Sequence, residues 1–380
     1  MIIINDDKRK NPVFLQDDPY LAHVVPENGA TQSVSEHLSG AMELAEKNCP
    51  LEILKNIVIC QILLHDAGKL SEEFFAYMDD IKQNGEKARK RMVDHTSAGG
   101  RILECLIGKR KISEFINTAI YSHHGLQDNI DMESGFTLFE KRQEKKLAFE
   151  TIQQRYFKII DKKLLIKYLA AAHIDLQTIL REIDDFVSNT GERHCGNREF
   201  YLGMFERLAL SVLIDSDWTD TACFCQGEAH PERISEEQTQ RIWKESITHF
   251  EDYMKHLTDS GEKSPLNVYR REISARCFRA VEEENKLYRL TVPTGAGKTF
   301  SSLRFALYHA EKYHKRHIIY VAPYNSILEQ NAEDIRRAVG NEDVVLEHHC
   351  NIFYEDENKE LIYKKLTESW DSPIIVTTAV

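Results

Sequence analysis

From about residue 33 to residue 225 apolar side chains return every third or fourth position. "LEILKNIVICQILLH", "AGGRILECLI", "EFINTAIYSHH", "LLIKYLAAAHIDLQTIL" and "FERLALSVLIDSDW" all carry this period, and strand-like alternation is absent. The pattern predicts an almost wholly helical domain. The charged segment "FEKRQEKKLAFETIQQRYFKIIDKK" is expected as a solvated helix or helical hairpin at its edge. Between residues 228 and 265 the composition turns polar and ends in "DSGEKSP", which reads as a connecting helix and then a loop. Beyond residue 285 short β-rich runs ("YRLTV", "HIIYVAP", "VVLEHH", "PIIVTT") alternate with helical stretches ("SSLRFALYHAEKYH", "SILEQNAEDIRRAV"). That alternation predicts a parallel α/β sheet. The expected organisation is therefore an all-α domain over 1–227, a linker over 228–265 and an α/β domain over 266–380.

Bulk properties narrow the class. At 380 residues, with 42% hydrophobic and 29% charged residues, the chain is globular and holds about two or three domains. No apolar stretch approaches the roughly 20 residues needed to span a bilayer, and "MIIINDDKRKNPVF" is not a signal peptide, so a cytoplasmic monomer with no membrane partner is expected. The eight cysteines are scattered, as in a reduced protein. One cluster, His194, Cys195, Cys223, Cys225 and His230, offers Cys-x-Cys spacing, a poor match to the Cys-x2-Cys knuckle of structural zinc. A net charge of −12 argues against a generally DNA-coating surface and leaves room for a local groove.

The candidate chemistry lies where apolar helices run out. "LLHDAGKL" ends a buried run on His65 and Asp66, with Lys69 close behind. "SVSEHLSGA" supplies His37, "VDHTSAGG" His95, "YSHHGL" the pair His123 and His124, and "VLIDSDWTD" Asp215 and Asp217. Each can project into one shared interior. Imidazole and carboxylate ligands without thiolate suit Mn, Fe, Co, Ni or Zn. Six or seven such ligands exceed the need of one catalytic ion and fit two ions roughly 3.5–4 Å apart. Asp215 and Asp217, two positions apart on a helix, point different ways, so only one is expected as a ligand. His23, His173, His194 and His230 match no motif and are expected to be structural.

In the α/β part, "YRLTVPTGAGKTF" follows a predicted strand and opens a predicted helix. Backbone N–H groups from Thr294 through Gly295, Ala296 and Gly297 to Lys298 can cradle phosphates there. Lys298 would reach the β/γ-phosphates of a bound nucleotide and the Thr299 hydroxyl would bind Mg²⁺.

These residues carry a resemblance. The order His37, "HDAGK", Asp217 is similar to the HD phosphohydrolase superfamily. The added "DHTSAGG", "SHHG" and "DSDWTDTACF" resemble the HD nuclease domain of the CRISPR-associated helicase–nuclease of type I systems, most closely its subtype I-C form. The resemblance implies that His37, His65, Asp66 and Asp217 hold one ion, and that His95, His123 and His124 complete a second. It also favours Asp217 over Asp215 and gives Lys69 a contact to substrate phosphate. The implied cofactors are two divalent transition-metal ions (Mn, Co, Ni or Fe, with Mg admissible), plus ATP and Mg for the helicase. The implied partners are single-stranded DNA and an RNA-guided surveillance complex. The second part resembles the first RecA-like lobe of a superfamily 2 helicase: Val292 replaces the usual first Gly, "VAPYNSILEQ" and "IIVTT" resemble strand-tracking motifs, and "SPLNVYRREISARC" lacks the adenine-contacting Gln. No Asp-Glu-x-His motif or second lobe follows, so a C-terminally truncated, incomplete lobe is expected. The expected activity is metal-dependent cleavage of single-stranded DNA, coupled in the whole protein to ATP-dependent 3'-5' helicase activity. An HD nucleotide phosphohydrolase and a non-catalytic effector-binding module are the alternatives.

Overall fold

A computed structural model describes residues 13–15, 18–85, 93–125, 135, 137–143, 145, 147–189, 197–259, 264–283, 287–349 and 370–378. The chain divides into two compact units, Met1–His230 and Pro231–Val380. The expectation of a multidomain protein, an all-α domain followed by an α/β lobe, matches the architecture, which adds a short hairpin to the first unit.

That hairpin pairs β1 (Leu21–Val24) with β2 (Thr31–Ser33) antiparallel. It feeds α1 (Val34–Asn48), whose start is fixed by a capping box between Ser33 and Glu36. Next comes α2 (Lys55–His65), in which every residue from Ile57 to His65 is buried. A helix apolar on all sides belongs in the middle of a bundle, and α2 packs against α1, against α5 (Lys111–Ser122), and against the long α8 (Lys162–Asn189) and α9 (Asn197–Gln226). A short 3-10 turn, Ala67–Leu70, leads to α3 (Glu72–Asn84), capped by Ser71. Helix α4 (Ser97–Ile107) lies on α2 and α5.

The charged segment forms α6 (Leu138–Gln143) and α7 (Phe149–Ile159). Helix α7 is not a solvated edge. Ile152, Tyr156 and Ile159 are buried, and Tyr156 donates its hydroxyl proton to the Leu63 carbonyl at 2.9 Å. Spacing of four and three residues gives one apolar face within a polar composition.

The second unit runs from Pro231 to Val380. The stretch 228–265, expected as a linker of a connecting helix and then a loop, carries α10 (Glu236–Asp259), whose Trp243 and Phe250 lie fully buried in this unit's core. After α11 (Pro265–Arg279) and α12 (Lys298–Lys312) come β3 (Ile318–Ala322), α13 (Asn325–Val339), β4 (Val345–His348) and β5 (Ile374–Thr378). The strands form a parallel sheet ordered β3-β5-β4. "YRLTV", expected as a strand, has no ladder partner among the described residues and runs as irregular chain into the phosphate loop. Apolar alternation favours extended backbone, but a strand also needs a neighbour to bond to.

Candidate metal centre

Helix ends bring the candidate side chains together. His37 lies in the first turn of α1, His65 ends α2, and Asp66 caps it at φ −102° and ψ 15°. His123 caps the C-terminus of α5, and Asp217 projects from α9. Two groups of ligand-type side chains result: His37, His65, Asp66 and Asp217, all buried, and His95, His123 and His124, graded from buried to exposed. Within each group the atoms lie within 4.8 Å of one another.

Asp66 joins the groups. Its Oδ2 is 3.4 Å from His37 Nε2 and 3.3 Å from His65 Nε2, while its Oδ1 is 3.9 Å from His95 Nε2 and 3.8 Å from His123 Nε2. Asp217 Oδ1 sits 3.0 Å from His37 Nε2 and 3.6 Å from His65 Nε2. His95 Nε2 touches His124 Nε2.

The imidazoles are aimed. His65 Nδ1 bonds to the Ile62 carbonyl at 2.8 Å, His123 Nδ1 to Ile120 at 2.7 Å, and His95 Nδ1 to Val93 at 3.1 Å. Holding Nδ1–H on a carbonyl leaves Nε2 as the free lone pair, the tautomer a metal ligand needs. Small residues make room for this convergence. A Cβ on Gly68 would lie 2.3 Å from the His95 carbonyl oxygen, and one on Gly99 would lie 1.8 Å from that of Leu64.

The cluster fits a cation. His37 Nε2, His65 Nε2, His123 Nε2 and Asp66 Oδ1 are buried and make no hydrogen bond, a costly condition for so many polar atoms. Among the described residues one buried lysine, Lys69, meets Asp66 at 2.7 Å, while the buried carboxylates of Asp66 and Asp217 both close on the imidazoles of His37 and His65, an arrangement that calls for positive charge between them. In the metal-free protein protons take that place. Burial opposes charge on His37, but the carboxylates of Asp217, Asp220 and Asp66, close around its ring, outweigh it and raise its pKa to about 10. Burial likewise opposes charge on His65, yet Asp66 and Asp217 lift it to about 9. Burial would raise both carboxylates, but His65 and Lys69 hold Asp66, and His37 and His65 hold Asp217, well below the usual range. His123 goes the other way, lowered to about 3 by burial and by His65.

Several placements differ from expectation. Lys69, expected to meet a substrate phosphate, is only 5% exposed, its Nζ 2.7 Å from Asp66 Oδ2 and 3.1 Å from His23 Nε2. His23, expected to be merely structural, borders the centre, with its ring centroid 4.8 Å from that of His37. Burial and the neighbouring Lys69 lower its pKa to about 2, so as a neutral ring it accepts a hydrogen bond from Lys69 Nζ. His230 bonds through Nε2 to Asp220 Oδ1 at 3.0 Å, and His194 and Cys195 of the zinc-type cluster lie outside the described residues. Asp215 is half-buried and stands outside both groups. Asp220, which sequence reasoning missed, bonds to His37 Nδ1 at 2.7 Å. Its one available signal was the helical spacing from Asp217.

In the second unit, Gly295 and Gly297 adopt left-handed φ of 78° and 81°, and Gly297 caps α12, which opens on Lys298. Two left-handed glycines flanking Ala296 turn the loop from Thr294 back onto the helix N-terminus, the geometry of an anion cradle. Thr299 Oγ1 donates to Asn331 Oδ1 at 3.1 Å. Arg270, from the segment lacking the adenine-contacting Gln, grips the Gly295 carbonyl at 2.7 and 3.0 Å.

Fold and site together define an HD-type helical domain, with adjoining His/Asp groups fit for divalent cations, followed by a phosphate-loop α/β unit. Residues 18–186 match the family model "Cas3, HD domain", and residues 263–379 match "Type III restriction enzyme, res subunit". Among solved structures it is similar to T. fusca Cas3 (14% identity, TM-score 0.40, 96% of this chain and 43% of that one). It is also similar to the T. fusca Cas3–ATP structure (16% identity, TM-score 0.41, 95% of this chain and 43% of that one). The chain thus spans less than half the length of those proteins. No curated protein matches the sequence.

Proposed function

We propose that the first unit is a metal-dependent nuclease that cuts single-stranded DNA, working in CRISPR interference beside an RNA-guided surveillance complex. In the whole protein it would be fed by an ATP-dependent 3'-5' helicase to which the second unit contributes. The observation that carries this reading is Asp66, whose two oxygens face two separate ligand groups.

His37, His65, Asp66 and Asp217 would hold one divalent transition-metal ion, and His95, His123 and His124, with Asp66 shared, a second. Such a pair, when bound, supplies Lewis acidity to the phosphodiester and an activated water. The chain's own residues set the approach. The four-residue group is buried, whereas His124 is exposed and His95 half-buried, so a phosphate must enter from the His95–His124 side. Lys69, buried against Asp66, offsets carboxylate charge and holds Asp66 in place. In the second unit, Lys298, Thr299 and the loop Thr294–Gly297 would bind ATP with Mg²⁺.

The test uses the full chain, stripped of metal and reloaded with Mn²⁺, Co²⁺ or Ni²⁺. Expected are cleavage of circular single-stranded DNA, little action on nucleoside triphosphates, and loss of cleavage in Asp66→Ala. Triphosphate hydrolysis without DNA cleavage would replace this reading with a nucleotide phosphohydrolase.

A further inference from the structure

Of the three histidines in the centre whose Nδ1 bonds to backbone carbonyls, none resembles His37, whose Nδ1 meets a carboxylate. We propose that Asp220 is a positioning residue of the metal centre: it fixes His37 with Nδ1–H toward α9 and Nε2 toward the ion, and is itself locked by Gln32 and His230. The inference rests on the reading of the four-residue group as a metal site.

Four observations support it. Asp220 is 4% exposed, so its carboxylate must find partners inside the protein. It has three: His37 Nδ1 at 2.7 Å and Gln32 Nε2 at 2.8 Å on Oδ2, and His230 Nε2 at 3.0 Å on Oδ1. Asp217 and Asp220 are one turn apart on α9, so they share a face and bracket one imidazole, Asp217 at Nε2 and Asp220 at Nδ1. Lastly, α1 carries Gly40 one turn beyond His37, and a Cβ there would lie 1.8 Å from Asp220 Oδ1. The helix holding the ligand is thinned where this carboxylate lies.

The chemical consequence follows from the pairing. A carboxylate on Nδ1–H makes the imidazole a stronger donor at Nε2 than a carbonyl does and fixes its tautomer and tilt. The bonds from Gln32 and His230 occupy both oxygens of Asp220 and keep it from turning toward the ion. Asp220 therefore acts through His37 rather than as a ligand. His230, the last residue of the first unit, closes the outer end of the array.

The experiment compares full-length wild type, Asp220→Asn, Asp220→Ala and His230→Gln, all metal-free and then titrated with Co²⁺ or Mn²⁺ against a chromogenic chelator. Visible absorption of the cobalt form and thermal melts of the metal-free form are recorded beside it. Asp220→Ala should weaken the affected ion about 10- to 100-fold, the usual effect of losing such a partner. It should also change the cobalt absorption bands. Asp220→Asn, whose amide oxygen still accepts from Nδ1–H, should fall between, and His230→Gln should lose less than either. If Asp220→Ala does not fold, the Asn variant decides, because it keeps the shape and the acceptor. Wild-type affinity within twofold and unchanged cobalt bands in a folded Asp220→Asn variant would overturn the proposal while leaving the metal site standing. A wild type that binds no cobalt would overturn both.

Discussion

Asp66 meets imidazoles on both of its oxygens, so its loss should be felt by both ligand groups at once. Asp66→Ala is expected to lose one ion outright and weaken the other, with the fold retained, because it removes a ligand and little core volume. Asp217→Asn should lose only the ion of the four-residue group. Asp215→Asn should keep both, since Asp215 lies outside the groups. Metal content after dialysis separates these outcomes, and full metal in Asp217→Asn would reject the assignment. The protonation pattern adds a pH prediction. His37 and His65 have raised values of about 10 and 9, so in the metal-free state both carry protons throughout the neutral range. A cation must displace those protons, and its affinity should climb with pH by up to two protons' worth below about 9, and more gently, by one, up to about 10. Titration calorimetry in buffers of different ionisation enthalpy counts the protons released. A count of zero at pH 7 would show that the imidazoles are already neutral. At this scale the inner residues were legible because His and Asp at the ends of apolar helices stand out by contrast. Gln32, His23, Asp220 and His230 were not, because a partner one layer out obeys no spacing rule: Gln32 and Asp220 meet across 188 positions.

At the scale of elements, helix α2 was legible as buried from its uninterrupted apolar run, and the phosphate loop from its glycine spacing. The buried faces of helices α7 and α10 were not legible because composition hid periodicity. Trp243 and Phe250, seven positions apart, with Ile242, Ile247, Tyr253 and Met254 packed beside them, seat α10 in a core although most of its residues are charged or polar. The glycines of "HDAGK" and "HTSAGG" acquire their meaning only in three dimensions, where Gly68 admits the His95 backbone and Gly99 the Leu64 carbonyl. Gly68→Ala should therefore act on geometry rather than on chemistry. The added methyl must displace the backbone that carries His95, at a cost of about 1–3 kcal/mol typical of overpacking. Urea unfolding should show that loss, and metal binding should weaken most at the His95–His123–His124 group. A variant with unchanged midpoint and two tight ions would mean that the 3-10 turn yields without strain.

At the scale of the molecule, each unit owns a separate hydrophobic core: one is built around α2 and its neighbours, the other around Trp243, Phe250, Leu307 and the inner strand β5. The ligand sites divide the same way, with the His/Asp groups in Met1–His230 and the phosphate loop in Pro231–Val380. Separate cores unfold as separate cooperative units unless their contact is extensive. A ligand that binds only the folded form stabilises its own unit by about 2.7 kcal/mol at one hundred times its dissociation constant. For units of this size that corresponds to a rise of roughly 5–10 °C in melting temperature. Calorimetry of the metal-free full chain should therefore resolve two transitions. Mn²⁺ should raise one and leave the other in place, while ATP with Mg²⁺ should raise the second. Lys298→Ala should abolish the ATP response and spare the Mn²⁺ response; Asp66→Ala should diminish the Mn²⁺ response and spare the ATP response. A single transition that both ligands move together would instead mean that the units fold as one, and that metal loading and nucleotide binding are energetically linked.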